Sequence, residues 1–351
     1  MINENLKTLN DYAKGQLGVL KVALQTQDGA LIKYQLSKLK VASELSELCS
    51  LVEKGANTQT LVMIDVLLAF KVSEKCEFDD ECFARLVKWA DDNKLATDNF
   101  PREKERFKNL KELDLSKCGL KSLPDEFVNL QNLEKLNLWG NKFKEFPKVV
   151  DILAKLKNLK ELDLHWCGLF SLPNEFANLQ SLEKLRLESN KFKEFPKVVD
   201  ILAKLKNLKE LDLKGCDLKY FPDEFANLQS LEKLDLAHNE LQEFPKALCE
   251  LKSLKELDLR WCDLESLPDE FANLQSLEKL NLNGNKFQEF PKALCGLKNL
   301  KELDLCGCGL EYLPDEFANL QNLEKLDLGG NKFQEFPKVI NELKNLKECN
   351  V

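Results

Sequence analysis

From Lys108 onward the chain repeats one short unit many times over, and this repetition limits its possible folds more than any other feature. The first half of a pair reads KNLKELDLSKCGLKSLPDEFVNL (Lys108 to Leu130) and the second QNLEKLNLWGNKFKEFPKVVDILAKL (Gln131 to Leu156). Five such pairs begin at Lys108, Lys157, Lys206, Lys252 and Lys298, and a shortened eleventh unit runs from Lys344 to Val351. First halves are always 23 residues long, whereas second halves have 26 in the first two pairs and 23 in the last three. The added three lie in Lys148 to Leu156 and Lys197 to Leu205, and three residues are nearly one helical turn. A unit this short cannot bury its leucines alone, so neighbours must stack and share one continuous core.

Within each unit the side chains alternate. Leu113 and Leu115 are separated by Asp114 and preceded by Glu112, the period-2 pattern of a strand with one buried and one wet face. Pro124 donates no ladder hydrogen bond and ends the strand region, after which Phe127 and Leu130 are expected to return to the core. Stacking such strands about 4.8 Å apart gives one parallel sheet. Each unit fits Leu-x-x-Leu-x-Leu-x-x-(Asn/Cys)-x-Leu followed by Leu-Pro or Phe-Pro. This pattern resembles the leucine-rich-repeat family, its bacterial kinds of about 23 residues in particular. The resemblance covers Lys108 to Val351 and implies an α/β solenoid: a leucine-rich-repeat horseshoe with a parallel concave β-sheet that serves as the recognition face. It also implies an inward ladder at Cys118, Cys167, Cys216, Cys262 and Cys308 and at the alternating Asn141, Asn190, Asn239, Asn285 and Asn331, bonding the backbone of the turning loops.

Residues 1–107 do not repeat and read as an α-helical N-terminal domain and cap, with 108–351 as the repeat domain. Candidate helices are Glu4 to Gln25, Ala30 to Glu53, Gln59 to Lys71 and Asp79 to Lys94. The last, with Phe83, Leu86, Val87 and Ala90 at helical spacing, is expected to cover the first repeat, and Arg102 to Phe107 to lead the chain into the sheet.

Composition narrows the function. A net charge of −8, with Lys and Glu interspersed, argues against a nucleic-acid partner. The most apolar run, Leu61 to Phe70, contains Asp65 and is about half the length a membrane span needs. The N-terminus has no basic stretch leading into an apolar core, so the twelve cysteines read as free thiols in a cytoplasmic protein. Motifs for phosphate binding, hydrolysis or zinc are missing, and Cys306 and Cys308 alternate outward and inward. Neither enzyme activity nor a metal or cofactor is expected.

Four columns on the wet face differ in character. The position before the second leucine alternates without a break from Glu112 and Lys135 to Lys325 and Glu348, a ladder expected to fix register. The next column, which includes Asp163, Arg186, Asp212, Asp235 and Asp258, forms an acidic stripe; with Lys nearby and open solvent, nothing is expected to desolvate these carboxylates. The two positions that follow hold both histidines and three of the four tryptophans: Trp139, His165, Trp166, His238 and Trp261, with Arg260 among them. Trp and Arg dominate binding hot spots, and the alternative reading of these rings is neutral surface variation. The candidate partner-binding set is therefore Trp139, His165, Trp166, Arg186, Asp235, His238, Arg260, Asp258 and Trp261, in two patches about 20 Å apart. Phe170, Tyr220 and Tyr312 would line one rim. The spacing suits a protein or peptide ligand. Alternatives are a bacterial effector or surface protein recognising a host protein or glycan, and self-association through the C-terminal edge, where only Leu346, Cys349 and Val351 are available as cover.

Overall fold

The computed structural model describes residues 78–351 apart from 98, 99, 194, 220 and 242. Asp80 to Val351 forms one compact unit. The first three candidate helices and Tyr220 lie outside the described residues.

One parallel sheet of eleven strands, in sequence order, runs the length of the unit. The strands are β1 (Glu112–Asp114), β2 (Lys135–Asn137), β3 (Glu161–Asp163), β4 (Lys184–Arg186), β5 (Glu210–Asp212), β6 (Lys233–Asp235), β7 (Glu256–Asp258), β8 (Lys279–Asn281), β9 (Glu302–Asp304), β10 (Lys325–Asp327) and β11 (Glu348–Asn350). Register is as the alternation predicts: Glu112 pairs with Lys135, Lys135 with Glu161, and so on to Lys325 with Glu348. The Lys135 ammonium lies 3.3 Å from Glu112 and 3.5 Å from Glu161, and Lys184, Lys233 and Lys279 each reach the glutamate of the next strand.

A second ladder stands one residue earlier. Lys160, Lys209, Lys255, Lys301 and Lys347 each contact a glutamate of the preceding repeat, at 2.6 to 2.9 Å. The two columns form a checkerboard in which a one-repeat slip would place like charges side by side.

Behind the sheet the leucines make a continuous core, and Phe127, Phe176, Phe225, Phe271 and Phe317 are fully buried, one in each pair of repeats. The three added residues have the predicted effect. The two 26-residue units carry the eight-residue helices α3 (Phe146–Leu153) and α4 (Phe195–Leu202), where 23-residue units have only five-residue 3-10 turns such as Asp125–Asn129.

At the N-terminal end, α1 (Asp80–Asp92) covers the first repeat and α2 (Lys104–Lys108) leads into β1. The face of α1 that is buried is Cys82, Leu86 and Ala90; Phe83 and Val87, expected there, are only half-buried. Trp89 packs edge-on to Phe100 and Phe127, and Arg85 pairs with Glu126 at 2.5 Å.

The inward ladder is present. Asn141, Asn190, Asn239 and Asn285 are buried, and each joins backbone groups of its own and the preceding repeat. In the alternate repeats the Cys216, Cys262 and Cys308 thiols donate to the carbonyls of Leu187, Leu236 and Leu282. Burial pushes these thiols up to about 12, which keeps them protonated and unreactive.

Candidate surface for partner binding

The acidic stripe has a structural task that was not apparent from residue type. In nine repeats the Asp or Asn Oδ1 accepts the backbone N–H two residues on, for example Ser116 from Asp114 at 2.8 Å and Ala237 from Asp235 at 2.9 Å. This Asx turn ends each strand after three residues. Arg186 alone breaks the series among the complete repeats; its guanidinium reaches back to Asp163 Oδ2 at 3.5 Å and remains largely exposed.

The expectation that these carboxylates stay solvated is corrected. Burial raises Asp212, Asp235 and Asp304, and for Asp235 the value reaches about 6, with the neighbouring Asp258 and Asp212 charges adding to the effect. Asp212, Asp235 and Asp304 are half-buried beside the Lys/Glu ladder, so the Asp235 charge meets its acidic neighbours through little water. A group raised in the folded state holds its proton longer there than in the unfolded chain. Its contribution to stability is therefore present below the ordinary carboxylate value of 3.8 and is lost as pH rises to about 6. Full linkage over that window is worth roughly 3 kcal/mol, which partial exposure reduces to about 1 kcal/mol. Asp235→Asn keeps the Asx turn, as Asn137 and Asn281 do. It is expected to match the parent at pH 4 and to exceed it by about 1 kcal/mol at pH 7.5 in urea unfolding; equal differences at both pH values would disprove the assignment.

Immediately after the Asx turn, the second of the two variable positions has a left-handed backbone in all ten complete repeats. Gly140, Gly215, Gly284, Gly307 and Gly330 occupy it in five, and Lys117, Trp166, Ser189, His238 and Trp261 in the others, with φ of 53° to 57°. The conformation is enforced by the stack, because the N–H of this residue bonds the next repeat: Trp166 to Glu188 O and Trp261 to Asn283 O, both at 2.9 Å. Outside glycine it costs about 1–2 kcal/mol. Both bulky tryptophans therefore stand where glycine is the unstrained choice, with 61% of Trp166 and 57% of Trp261 exposed.

The two patches are built differently. In the first, Trp139 and His165 stack at 4.6 Å and 20°, the Lys117 ammonium lies 3.9 Å from the Trp139 ring centre, and His165 Nδ1 is 2.6 Å from Asp163 Oδ1. Trp139 is thus half-buried in a closed stack, its indole N–H without a partner, while Trp166 is left free of that stack and exposed. In the second, the His238 and Trp261 rings are parallel within 9° at 6.5 Å, and Trp261 lies flat on Gly284, where a Cβ would come within 2.7 Å of the ring. Arg260 does not join these rings; its guanidinium is held by Asp258 at 2.7 to 3.0 Å. A groove of about 710 Å³ runs over β6 to β11 and is lined by Asp235, Asp258 and Arg260. Phe170 and Tyr312 are exposed on the rim.

Sequence reading missed Lys117, which covers Trp139, and Gly284, which admits Trp261. Glycine at half of the left-handed positions was the available signal.

Comparison with known proteins agrees with this geometry. A model described as a leucine-rich repeat region matches residues 96–217 and 201–306, and one described as a leucine rich repeat matches 299–320 and 322–346. Among solved structures, a leucine-rich-repeat protein of Leptospira interrogans is 34% identical, with 70% of this chain and 67% of that one covered and a TM-score of 0.57. An internalin of Listeria monocytogenes, 20% identical, shares the fold over 76% of this chain and 90% of its own at a TM-score of 0.51. No curated protein matches the sequence.

Proposed function

The chain belongs to the leucine-rich-repeat family, and on that premise we propose that it is a non-enzymatic binding protein whose partner, a protein or peptide, lies along the exposed face of the sheet. The observation that carries this reading is the placement of Trp166 and Trp261. Two large rings are held out to solvent at backbone positions that favour glycine. Strain of this kind persists where the surrounding structure enforces it and is concentrated at functional sites. Exposed aromatic side chains on a rigid scaffold also anchor interfaces at small entropic cost. His238 lies parallel to Trp261, with Arg260, Asp258 and Asp235 in the same and the preceding repeat, and Trp139, His165 and Arg186 stand in the repeat of Trp166 and its two neighbours. The two patches engage different stretches of one extended partner.

The cytoplasm is the proposed compartment. All ten cysteines among the described residues are free thiols, as a reducing environment would keep them. Affinity capture from the native organism tests the function. The parent chain should enrich a specific protein that a Trp166→Ala/Trp261→Ala variant of equal thermal stability fails to enrich. Equal recovery by both would overturn the reading.

A further inference from the structure

Nine residues beyond the first charge of each strand, a rim column runs Lys121, Lys144, Phe170, Lys193, Lys219, and then, past residue 242, Glu265, Gln288, Glu311 and Gln334. Backbone bonds hold the column in register, from Lys144 N–H to Lys121 O, Lys193 N–H to Phe170 O and Gln288 N–H to Glu265 O. The column is basic with an aromatic centre in its first half and neutral to acidic in its second, so its sign is not imposed by the repeat.

The lysines here also differ from those on the sheet. On the sheet, lysines of both columns pair with glutamates of adjacent repeats. On the rim, Lys121 and Lys144 are exposed with no carboxylate contact among the described residues, and so is Lys142 beside them. Lys193 lies 5.0 Å from the ring centre of Phe170, which is 54% exposed, and Lys219 alone meets a glutamate, Glu240, at 3.3 Å. Trp166, in the same repeat as Phe170, exposes a second ring.

We infer that this rim, Lys121, Lys144, Phe170, Lys193 and Lys219, docks an acidic segment of the protein partner that also carries an apolar anchor for Phe170. Ammonium groups around an exposed ring, all but that of Lys219 without a carboxylate partner among the described residues, offer charge attraction and apolar contact in one patch, and such complementarity sets specificity and on-rate. A protein segment fits better than a nucleic acid, because the neighbouring sheet face is acidic and the chain's net charge is −8. The inference rests on the binding reading above and adds the partner's charge and its polarity along the solenoid, acidic over repeats one to five.

The test selects a phage-displayed library of random 16-residue peptides on the full-length chain. The selected peptides are then measured on three variants: a rim reversal (Lys121→Glu, Lys144→Glu, Lys193→Glu, Lys219→Glu), an opposite-end control (Glu265→Lys, Glu311→Lys), and Trp166→Ala/Trp261→Ala. All substituted rim side chains are exposed, so circular dichroism should show parental folding. Peptides of net negative charge containing an aromatic or leucine residue are expected, losing about tenfold or more in affinity on the rim reversal and little on the control. Neutral or basic peptides, or affinities unchanged by the reversal, would overturn the inference. So would tighter binding of a fluorescent single-stranded 20-mer DNA at the same rim. Peptides lost on the tryptophan variant but kept on the reversal sink the rim and leave the sheet-face reading standing; the opposite pattern sinks the sheet-face reading alone.

Discussion

Asn239→Ala is expected to lower the unfolding free energy by about 3–5 kcal/mol. The Asn239 Oδ1 accepts the N–H groups of Leu218 and Cys216, at 2.9 and 3.2 Å, and its Nδ2 donates to the carbonyls of Leu213 and Leu236, at 3.0 and 2.7 Å. Leu213, Cys216 and Leu218 belong to the preceding repeat, so one buried amide joins two units of the stack. Alanine strands two donors, the N–H groups of Leu218 and Cys216, and one acceptor, the carbonyl of Leu213, in a site that is 1% exposed, while the Leu236 carbonyl keeps the Cys262 thiol. Each buried orphan costs about 1–3 kcal/mol before any relief from entering water. Asn239→Cys is expected to cost roughly half as much, because a thiol at this place still donates to a carbonyl, as Cys262 does to Leu236. It cannot replace the acceptor. Asn299→Ala, which removes an exposed bond to Gln275 O, serves as the control and should stay under about 1 kcal/mol. Urea unfolding followed by far-ultraviolet circular dichroism measures all three. If Asn239→Ala fell within 1 kcal/mol of the parent, the ladder would not be what couples repeats.

How much of this could be read from the chain follows from what a repeat makes periodic. Sheet order, register and the helical turn in the longer units were legible because each reduces to spacing: Glu and Lys alternate between units, leucines alternate within them, and three residues make nearly a turn. The second Lys/Glu column, starting at Lys111 and Glu134, had the same signature one residue earlier and was overlooked. Roles set by backbone geometry were not legible. Asp235 and Asp258 read as surface charges, yet their Oδ1 atoms close Asx turns, and Asp235 is half-buried beside the acidic residues of the adjacent repeats, Asp212 and Asp258. The candidate site divides in the same way. Trp166 and Trp261 emerged from residue type, but the left-handed backbone beneath them was concealed by the five non-glycine residues at that position. Trp139, one position earlier in its unit, was grouped with Trp166 although it closes a stack with His165.

That left-handed backbone leads to a prediction separating binding from folding. In Trp166→Gly/Trp261→Gly, each substitution releases about 1–2 kcal/mol of backbone strain. It also removes the ring contact with neighbours, which for Trp261 is the face of Gly284 and the parallel His238. With more than half of each ring already exposed, the two effects offset, and the unfolding free energy should stay within about 1 kcal/mol of the parent. Affinity for the captured partner should not survive. An anchor that contributes about 2 kcal/mol or more is removed at each patch, so the dissociation constant should rise at least ~100-fold. Gly284→Ala is the companion test, since its Cβ would strike the Trp261 ring at 2.7 Å and displace it without deleting it. It should weaken binding while shifting tryptophan fluorescence. Calorimetric titration and thermal unfolding on the same preparations decide the matter. A double glycine variant that unfolds early would make the rings packing elements, and one that binds like the parent would move the interface elsewhere.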